Sequence, residues 1–418
     1  MSIRLLFLTC ETYPTHRVDV NVLFGKVLPQ YGILADVVTG KTQGEENAET
    51  WGGGETYLCD VPSSASKKHI KIFFHDIKHL TKANTKQYQA IQVRDMPLMA
   101  TIGLIVARFK GLKFFYWMSY PMPEAQILSA RNRGLSEGLM KFVFPWLRGR
   151  VGRVLLYKVV LPLADHIFVQ SDQMKADLIK QGIRPEQMTP VPMGVDTEVL
   201  QNIDIPPADD PRLVGKRVLV YLGILEYARK IHILFEMLAI VKQQIPDILL
   251  VLVGDTYDDA DRKWLKTKAD EAGVKDQLVW TGWLPMHEGW RYVRAAELGL
   301  SPIPRGSLLD CGSPTKVPEY LALGVPVVCN DNPDQEQVIK DSGAGICVPY
   351  SAENFANAVI KMLNLDKTER DEMKIKGKNY VSHYRSYLKL GNDVADAYKR
   401  LLSTKESNQN DCSNVNEN

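Results

Sequence analysis

The sequence predicts an α/β protein made of two doubly wound domains, each with a parallel sheet covered by helices. Short, continuous apolar runs alternate with segments of helical periodicity almost throughout the 418 residues. Continuous apolar strands are typical of parallel sheets that are buried on both faces, and the intervening helices are typical of their crossover connections. The alternation is interrupted once, by a polar, proline-rich stretch at 203–215. A chain of this length also favours more than one domain.

The first block of alternating elements begins with an apolar strand at 3–10 and a helix at 18–31 that stops before Gly32. Further strands are predicted at 35–39, 70–74, 90–94, 113–118 and 165–170. A helix at 98–110 is closed by Gly111, and Ser171 is placed to cap a helix at 172–181. This block is the predicted N-terminal domain, residues 1–200.

The second block repeats the pattern after the linker. Its strands are predicted at 218–222, 248–253, 278–281, 298–302 and 326–329, and its helices at 231–244, 261–272, 315–323 and 355–363. We assign it to a C-terminal domain at 212–380, followed by a helical segment at 381–402 that packs back on the first domain. The Asn/Ser-rich end, 403–418, is predicted to be disordered. In such folds ligands bind beyond the carboxyl ends of the strands, so the site is expected in the cleft between the domains.

Composition excludes several classes of protein. The net charge of +2 is too small for a general nucleic-acid binder, and 45% hydrophobic with 24% charged residues is typical of a soluble globular protein. The six cysteines are scattered and include no CxxC pair, which indicates reduced thiols. The start of the chain does not read as a signal peptide, and no apolar run is long enough to cross a membrane. We therefore expect a cytoplasmic protein.

The stretch 311–328 carries the strongest chemical signal. Gly312, Ser313, Pro314 and Thr315 form a predicted turn that opens a helix. Free N–H groups and the positive end of the helix dipole suit an anion such as a diphosphate. Glu319 follows about one turn later, where its carboxylate can accept hydrogen bonds from a ribose diol. An ordinary capped helix explains the same residues equally well on local chemistry alone.

Several motifs together resemble one family. The pattern S-P-T-K-x-x-E-Y-L-A-x-G-x-P-V-V, which includes Lys316, resembles the donor-site helix of retaining, GT-B-fold glycosyltransferases of the family-four type, or group 1. Similar resemblances occur at 191–196, 249–255, 279–282 and 342–346, and they are strong from about residue 160 to about residue 363. The resemblance implies two Rossmann-like domains facing across a cleft, with the acceptor on the first domain and a nucleotide-sugar on the second.

Two departures from the family pattern affect the predicted site. Where the family commonly has the first of two glutamates this chain has Cys311, and the adjacent Asp310 is the candidate carboxylate toward the donor sugar. Near the end of the first strand of the second domain, the family's basic residues are represented by Arg229 and Lys230. Arg229 stands at the usual lysine position, and its planar guanidinium suits phosphate oxygens.

The N-terminal domain offers two further candidates. His16 lies in the loop after the first strand, where the family has a Gly-Gly turn against the donor phosphate, although a lone histidine is more often structural. Asp95 ends a predicted parallel strand and is the candidate acceptor-side or general-base residue. No DxD triplet lies in a setting that suggests a bound metal, so neither a metal nor another cofactor is expected. Arg229, Lys316 and the 313–315 amides would stabilise the leaving diphosphate instead.

The segment 131–158 suggests a membrane surface. It contains seven cations and one acid, Glu137, interleaved with aromatic and aliphatic residues. The cations are Arg131, Arg133, Lys141, Arg148, Arg150, Arg153 and Lys158. Such a helix can lie in the headgroup layer of an anionic leaflet, on the inner face of the membrane for a cytoplasmic protein. A helix pair packed on the first domain's sheet is the equal alternative.

These observations predict a retaining, hexosyl-type glycosyltransferase that uses a nucleotide-sugar and a lipid-linked or polysaccharide acceptor. One alternative is a nucleotide-sugar epimerase on the same fold, which would need a set of acid and base groups around the donor sugar. The other is a non-catalytic, degenerate transferase, which only the missing first glutamate supports.

Overall fold

The structure, a computed structural model, describes residues 2–15, 17–42, 51–60, 65–134 and 138–403. The chain divides into two compact units. Unit 1 comprises Met1–Pro192 and Tyr387–Asn418, and unit 2 comprises Met193–Ser386. The chain therefore passes from one unit to the other twice. Apart from Ser403, the segment predicted to be disordered lies outside the described residues.

Unit 1 contains a seven-stranded parallel sheet with the order β3-β2-β1-β4-β5-β6-β7. Its strands are β1 (Ile3–Thr9), β2 (Ile33–Gly40), β3 (Thr56–Cys59), β4 (Ala90–Arg94), β5 (Lys113–Met118), β6 (His166–Val169) and β7 (Met188–Pro190). The central strands β4 and β5 are almost entirely buried, as their continuous apolar sequences predict. The strand order reverses direction between β1 and β4, which is where such sheets bind ligands.

The helices of unit 1 cover both faces of this sheet. They are α1 (Leu28–Gln30), α2 (Ala65–Lys82), α3 (Pro97–Lys110), α4 (Met122–Arg133), α5 (Leu139–Leu155), α6 (Leu161–Leu163) and α7 (Asp172–Lys180), with π-helical turns at Asp19–Val27 and Leu156–Val160. The last helix of the chain, Tyr387–Ser403, also belongs to this unit. Its buried Tyr398 donates a hydrogen bond to Gln92 on β4. Ser171 caps α7 as predicted, accepting a hydrogen bond from Met174 N.

Unit 2 contains a six-stranded parallel sheet with the order β10-β9-β8-β11-β12-β13. Its strands are β8 (Arg217–Leu222), β9 (Ile248–Val253), β10 (Leu278–Gly282), β11 (Leu298–Ser301), β12 (Val327–Asn330) and β13 (Gly345–Val348). Strand β9 is buried at every position. The order is that of a doubly wound dinucleotide-binding sheet, and it reverses between β8 and β11.

The helices of unit 2 also lie on both faces of their sheet. They are α8 (Thr197–Asn202), α9 (Ile233–Val241), α10 (Asp259–Glu271), α11 (Met286–Ala295), α12 (Ser307–Asp310), α13 (Lys316–Ala322), α14 (Pro333–Ser342), α15 (Ala352–Leu363) and α16 (Lys367–Tyr380), and the chain's last helix, Tyr387–Ser403, is α17. One core cluster joins β9 with α9 and α15, and a second joins the opposite face of the sheet with α11 and α13.

The predicted fold class is therefore confirmed: two Rossmann-like parallel-sheet domains. The predicted strand at 70–74 is wrong, because these residues belong to α2. Its half-buried Phe73 and Ile77 and its buried Asp76 and Leu80 recur every three to four residues, which is the period of a helix face. Prediction also missed β3, β7 and β13, which have only three or four residues each.

Candidate functional site

Two glycines shape the carboxyl end of the unit 2 sheet. Gly223 follows β8 with φ of 143°, and Gly254 follows β9 with φ of 130°. A Cβ on Gly254 would lie 2.3 Å from the Gly223 carbonyl oxygen, and a Cβ on Gly223 would lie 2.9 Å from Lys316 Cε. Only glycine accepts these conformations and approaches without strain. The loops after β8 and β9 therefore lie in contact, and the Lys316 side chain lies against Gly223.

Lys316, the first residue of α13, extends over this surface. Its Nζ lies 5.2 Å from the centre of the Tyr221 ring. The Leu222 N–H donates to Tyr320 Oη at 2.8 Å. This hydrogen bond joins β8 to α13 and so fixes the position of the helix that carries Lys316. Burial, together with the nearby charge of Arg229, lowers the pKa of Lys316 to about 8 despite Glu319. Lys316 is therefore a cation held in an unfavourable electrostatic setting.

Arg229 is the second cation at this end of β8. It lies in a short 3-10 turn, Tyr227–Arg229, and not at the start of a helix, since α9 begins at Ile233. Within the part of the chain that the structure describes, no carboxylate forms an ion pair with Arg229 or Lys316. Two neighbouring cations without a partner acid favour the binding of an anion. Lys230 is exposed, and its main chain is left-handed with φ of 48°.

Glu319 lies one turn into α13 and lines a pocket at the ends of β8 and β9. The other side chains around the pocket are mostly apolar: Leu222, Ile224, Val253, Trp283, Leu284, Met286 and Trp290. Desolvation raises the pKa of Glu319 to about 7, opposed by the charge of Lys316. A lone carboxylate in an apolar pocket is a group poised to accept hydrogen bonds from hydroxyl groups.

The Ser313 side chain anchors the turn 312–315 to other residues of unit 2. The Ser313 hydroxyl donates to Asp334 Oδ2 at 2.8 Å, and it accepts from Met193 N at 2.9 Å. Buried Arg385 donates to the same hydroxyl at 3.3 Å and to Asp334 Oδ1 at 2.7 Å. The Ser313 side chain therefore fixes the turn, and what the turn can offer a ligand is main chain. Gly312, Pro314 and Thr315 complete it and are partly exposed.

Asp310 and Cys311 differ from what the missing family glutamate would supply. Asp310 accepts from Arg305 Nε at 2.9 Å, and Arg305 also pairs with Asp331 at 2.6 Å. The Asp310 carboxylate is thus partly neutralised. Cys311 is buried, and its thiol donates to the Leu308 carbonyl. To face a donor sugar, the Asp310 carboxylate would first have to separate from Arg305.

The candidates of the N-terminal domain lie in unit 1. Asp95 follows β4 in a left-handed conformation, with φ of 55°. Its carboxylate accepts from Ser119 N at 2.8 Å, from Tyr120 N at 3.3 Å and from the Ser119 hydroxyl, and it pairs with Arg94 at 3.6 Å. Burial raises its pKa, while Arg94 and these hydrogen bonds oppose the shift. His16 lies outside the described residues.

Of the site residues predicted from the sequence, unit 2 brings Arg229, Lys316 and Glu319 together. The sequence analysis did not predict the residues that surround and support them. Trp283 directly follows the stretch 279–282, where the sequence resembles the family. An apolar residue at this position is the signal that could have indicated the pocket. Arg385 and Asp334 had no local signal, because they meet Ser313 only through the tertiary fold.

Comparison with known proteins shows a family to which part of the chain is similar, and solved structures that share its fold. Residues 207–380 match the profile of the family described as glycosyl transferases group 1. No curated protein matches the chain. Among solved structures, sucrose-phosphate synthase from Thermosynechococcus elongatus is similar, with a TM-score of 0.72, 16% identity, and coverage of 96% of this chain and 100% of that one.

Two further solved structures show the same architecture. Anabaena HepE in complex with UDP-glucose has a TM-score of 0.65 at 15% identity and covers 95% of this chain and 100% of its own. WaaG, a glycosyltransferase involved in lipopolysaccharide biosynthesis, has a TM-score of 0.64 at 14% identity, with 94% and 99% coverage. At these identities the likeness establishes the fold. Residues 207–380 therefore resemble the group 1 glycosyltransferases in sequence, in a chain with the GT-B fold.

Proposed function

We propose that the protein transfers a sugar from a nucleoside diphosphate sugar to an acceptor hydroxyl, with unit 2 binding the donor. The observation that carries the proposal is a pair of cations, Arg229 and Lys316, that lie beside the Glu319 pocket and form no ion pair with a carboxylate among the described residues. A diphosphate supplies the missing negative charge, and a ribose diol supplies donors for Glu319. HepE, which has the same fold, binds UDP and UDP-glucose, so uridine nucleotides are the first ligands to test.

The apolar part of the pocket fits the rest of a nucleoside. Trp283 is half exposed and lies against Tyr257, with ring centres 4.8 Å apart. Exposed aromatic faces beside a carboxylate are a suitable surface for a base next to a ribose. The donor sugar would then lie beyond the diphosphate, toward the 312–315 turn.

In the reaction, the bond between the sugar's anomeric carbon and the diphosphate oxygen breaks, and the acceptor oxygen forms the new bond to that carbon. The proton of the acceptor hydroxyl passes to an oxygen of the departing diphosphate. Negative charge develops on the departing diphosphate. We expect Arg229, Lys316 and the main-chain N–H groups of Ser313 and Thr315 to stabilise that charge. On this basis we propose that no metal is needed. Transfer with retention is the stereochemistry that the sequence resemblance implies, for a hexosyl donor.

For the acceptor, we propose a lipid-linked sugar or a growing polysaccharide, used at the inner face of a membrane. WaaG is described as acting in lipopolysaccharide biosynthesis, which supports this class of acceptor. No helix in the part of the chain that the structure describes is long and apolar enough to cross a membrane.

The experiment is incubation of the purified protein with UDP-sugars, with and without a polyprenyl-phosphate-linked or oligosaccharide acceptor, in the presence of EDTA. We expect acceptor-dependent release of UDP that survives chelation and is greatly reduced in Glu319→Ala. Loss on chelation with rescue by a divalent ion would contradict the metal-free step. Conversion of one UDP-sugar into another without acceptor would instead show an epimerase. Binding of UDP without turnover of any donor would show a degenerate transferase.

A further inference from the structure

The long helix α5 of unit 1 places its apolar side chains in solvent. Six of them, at spacings of three and four residues, form one row along the helix and are between 37% and 75% exposed. We call this row the α5 stripe: Met140, Val143, Phe144, Leu147, Val151 and Val154. Soluble helices normally bury such a row, so the exposed row requires an explanation.

The opposite face of α5 shows why the stripe points outward. Gly149 is buried against α4, where an added Cβ would lie 2.7 Å from Ile127 Cγ1 and 2.9 Å from the Pro123 carbonyl oxygen. Gly152 also faces Pro123. The glycines thus make the close helix contact, while the side chains of the stripe remain 37–75% exposed. This packing leaves the α5 stripe free as a surface.

Cations border the stripe on both sides. Arg148 and Arg150 lie roughly 80° to either side of the stripe's centre, taking 100° per residue. Arg150 packs over the Trp146 ring at 5.2 Å, and α5 contains no acidic residue. Within the described chain neither Arg148 nor Arg150 is in an ion pair, whereas Arg153 lies 3.6 Å from Glu124. Glu137 and the side chains of Arg133 and Lys141 lie outside the description.

We propose that α5 lies in the interface of an anionic lipid bilayer, with the α5 stripe inserted among the acyl chains and Arg148 and Arg150 at the headgroups. A helix of 17 residues that carries three arginines does not span a membrane but is suited to lie in its surface. A second copy of the chain is the less favourable occupant. A two-fold contact would set the same surface against itself and bring arginines together.

The proposal goes beyond attraction of a basic segment to anionic lipid. Insertion adds an apolar contribution, which salt does not screen, to an electrostatic contribution, which salt does screen. It deepens the proposed function and relies on that function only for the acceptor at the membrane. Vesicle binding is measured without donor, so its failure would leave donor binding and sugar transfer as separate questions.

The test is co-sedimentation with vesicles of phosphatidylcholine alone and of phosphatidylcholine with phosphatidylglycerol. We expect the wild type to bind the anionic vesicles more tightly, and to retain part of that binding when salt rises from about 0.1 M to about 1 M. Phe144→Ser/Leu147→Ser should lower the partition coefficient at least about tenfold at both salt concentrations. Arg148→Gln/Arg150→Gln should lower it mainly at low salt.

A matched control is Val214→Ser/Ile375→Ser, which replaces two apolar side chains of unit 2 that are 78% and 61% exposed. We expect this variant to bind vesicles like the wild type. Thermal unfolding and UDP binding should be unchanged in all three variants, because every substituted side chain is exposed. Equal losses in the control, or wild-type binding by Phe144→Ser/Leu147→Ser, would overturn the proposal. So would a dimer that the same substitution dissolves, without binding to either vesicle.

Discussion

Arg385 and Asp334 form an ion pair inside unit 2, with Nη2 2.7 Å from Oδ1 and only 7% of each side chain exposed. Both residues also contact the Ser313 hydroxyl. Arg385 comes just before the second passage of the chain between the units, and the Met193 N–H, just after the first passage, donates to the same hydroxyl. One buried pair therefore fixes the turn that we propose to face the donor diphosphate.

Removing one member of this pair should be costly. We expect Arg385→Ala to lower the free energy of unfolding by about 3–5 kcal/mol, because it leaves a buried carboxylate without its cation. Urea denaturation measures this. Lys374→Ala, which breaks an exposed pair with Asp371, is the control and should change stability far less. Similar stabilities for the two variants would remove the structural role that we give to Arg385.

The glycine contact at the ends of β8 and β9 makes a second prediction. Gly254→Ala should destabilise the protein by about 3 kcal/mol or more, because its Cβ would meet the rigid Gly223 carbonyl as well as a positive φ. Gly215 also has a positive φ, of 71°, but it has open space around it. Gly215→Ala therefore isolates the backbone strain and should cost about 1–2 kcal/mol. Thermal or urea unfolding of both variants would show whether the close approach exists.

Donor affinity should depend on pH in a way that Lys316 explains. Its pKa is about 8 in the free protein, and a bound diphosphate favours the protonated form. Binding therefore takes up a proton, and affinity for UDP-glucose should fall above pH 8 by up to about tenfold per pH unit. The diphosphate of UDP-glucose does not itself titrate in this range. Lys316→Arg should remove this loss, because arginine stays charged.

Below pH 7, the pH dependence of the affinity for UDP-glucose should depend on Glu319. Its pKa is about 7, so the carboxylate becomes protonated as the pH falls through that value. A neutral carboxyl group accepts hydrogen bonds from a ribose less well, and affinity for UDP-glucose should decline below pH 7. Glu319→Gln should bind weakly at every pH and show no such decline. Calorimetric titrations of UDP-glucose from pH 5.5 to 9.5 measure both sides; a flat wild-type profile would contradict the proposed contacts.

Arg229 should act on the phosphates and not on the nucleoside. We expect Arg229→Ala to weaken binding of UDP by at least about tenfold and to leave binding of uridine almost unchanged, because a charge-assisted contact to phosphate is lost. Lys230→Ala, one residue away and exposed to solvent, should have a smaller effect. Calorimetry with UDP and uridine checks this, and equal losses for both ligands would place Arg229 away from the diphosphate.

The sequence predicted the sheets well, because buried parallel strands are continuous apolar runs such as Ile248–Val253 and carry their signal locally. The 70–74 error shows the limit of that signal. A short run of large apolar residues has no period of its own, and the helix became evident only from the longer spacing of Phe73, Asp76, Ile77 and Leu80. Three short strands were missed for the same reason.

The sequence could indicate candidate site residues only where a motif lies on one stretch of chain. Lys316 and Glu319 are in one such stretch, and Arg229 follows one strand by a fixed interval. Arg385 and Asp334 are 51 residues apart and meet only in the folded unit, so no local pattern could indicate them. The exposed α5 stripe could not be predicted for a different reason. The spacing of its apolar residues predicts a helix but not which face of that helix is buried. Buried Gly149 and half-buried Gly152 contact α4, and this packing leaves the stripe on the exposed face.

The central claim is that unit 2 binds a nucleoside diphosphate through Arg229, Lys316 and Glu319 without a metal. The most direct measurement is thermal unfolding of the wild type and of Lys316→Ala with a panel of nucleoside diphosphates and their sugar conjugates, all in EDTA. We predict that at least one nucleotide stabilises the wild type by about 2.7 kcal/mol at a concentration of 100 Kd, and that Lys316→Ala loses most of this effect. Absence of stabilisation by every nucleotide, or equal stabilisation of the two proteins, would contradict the account.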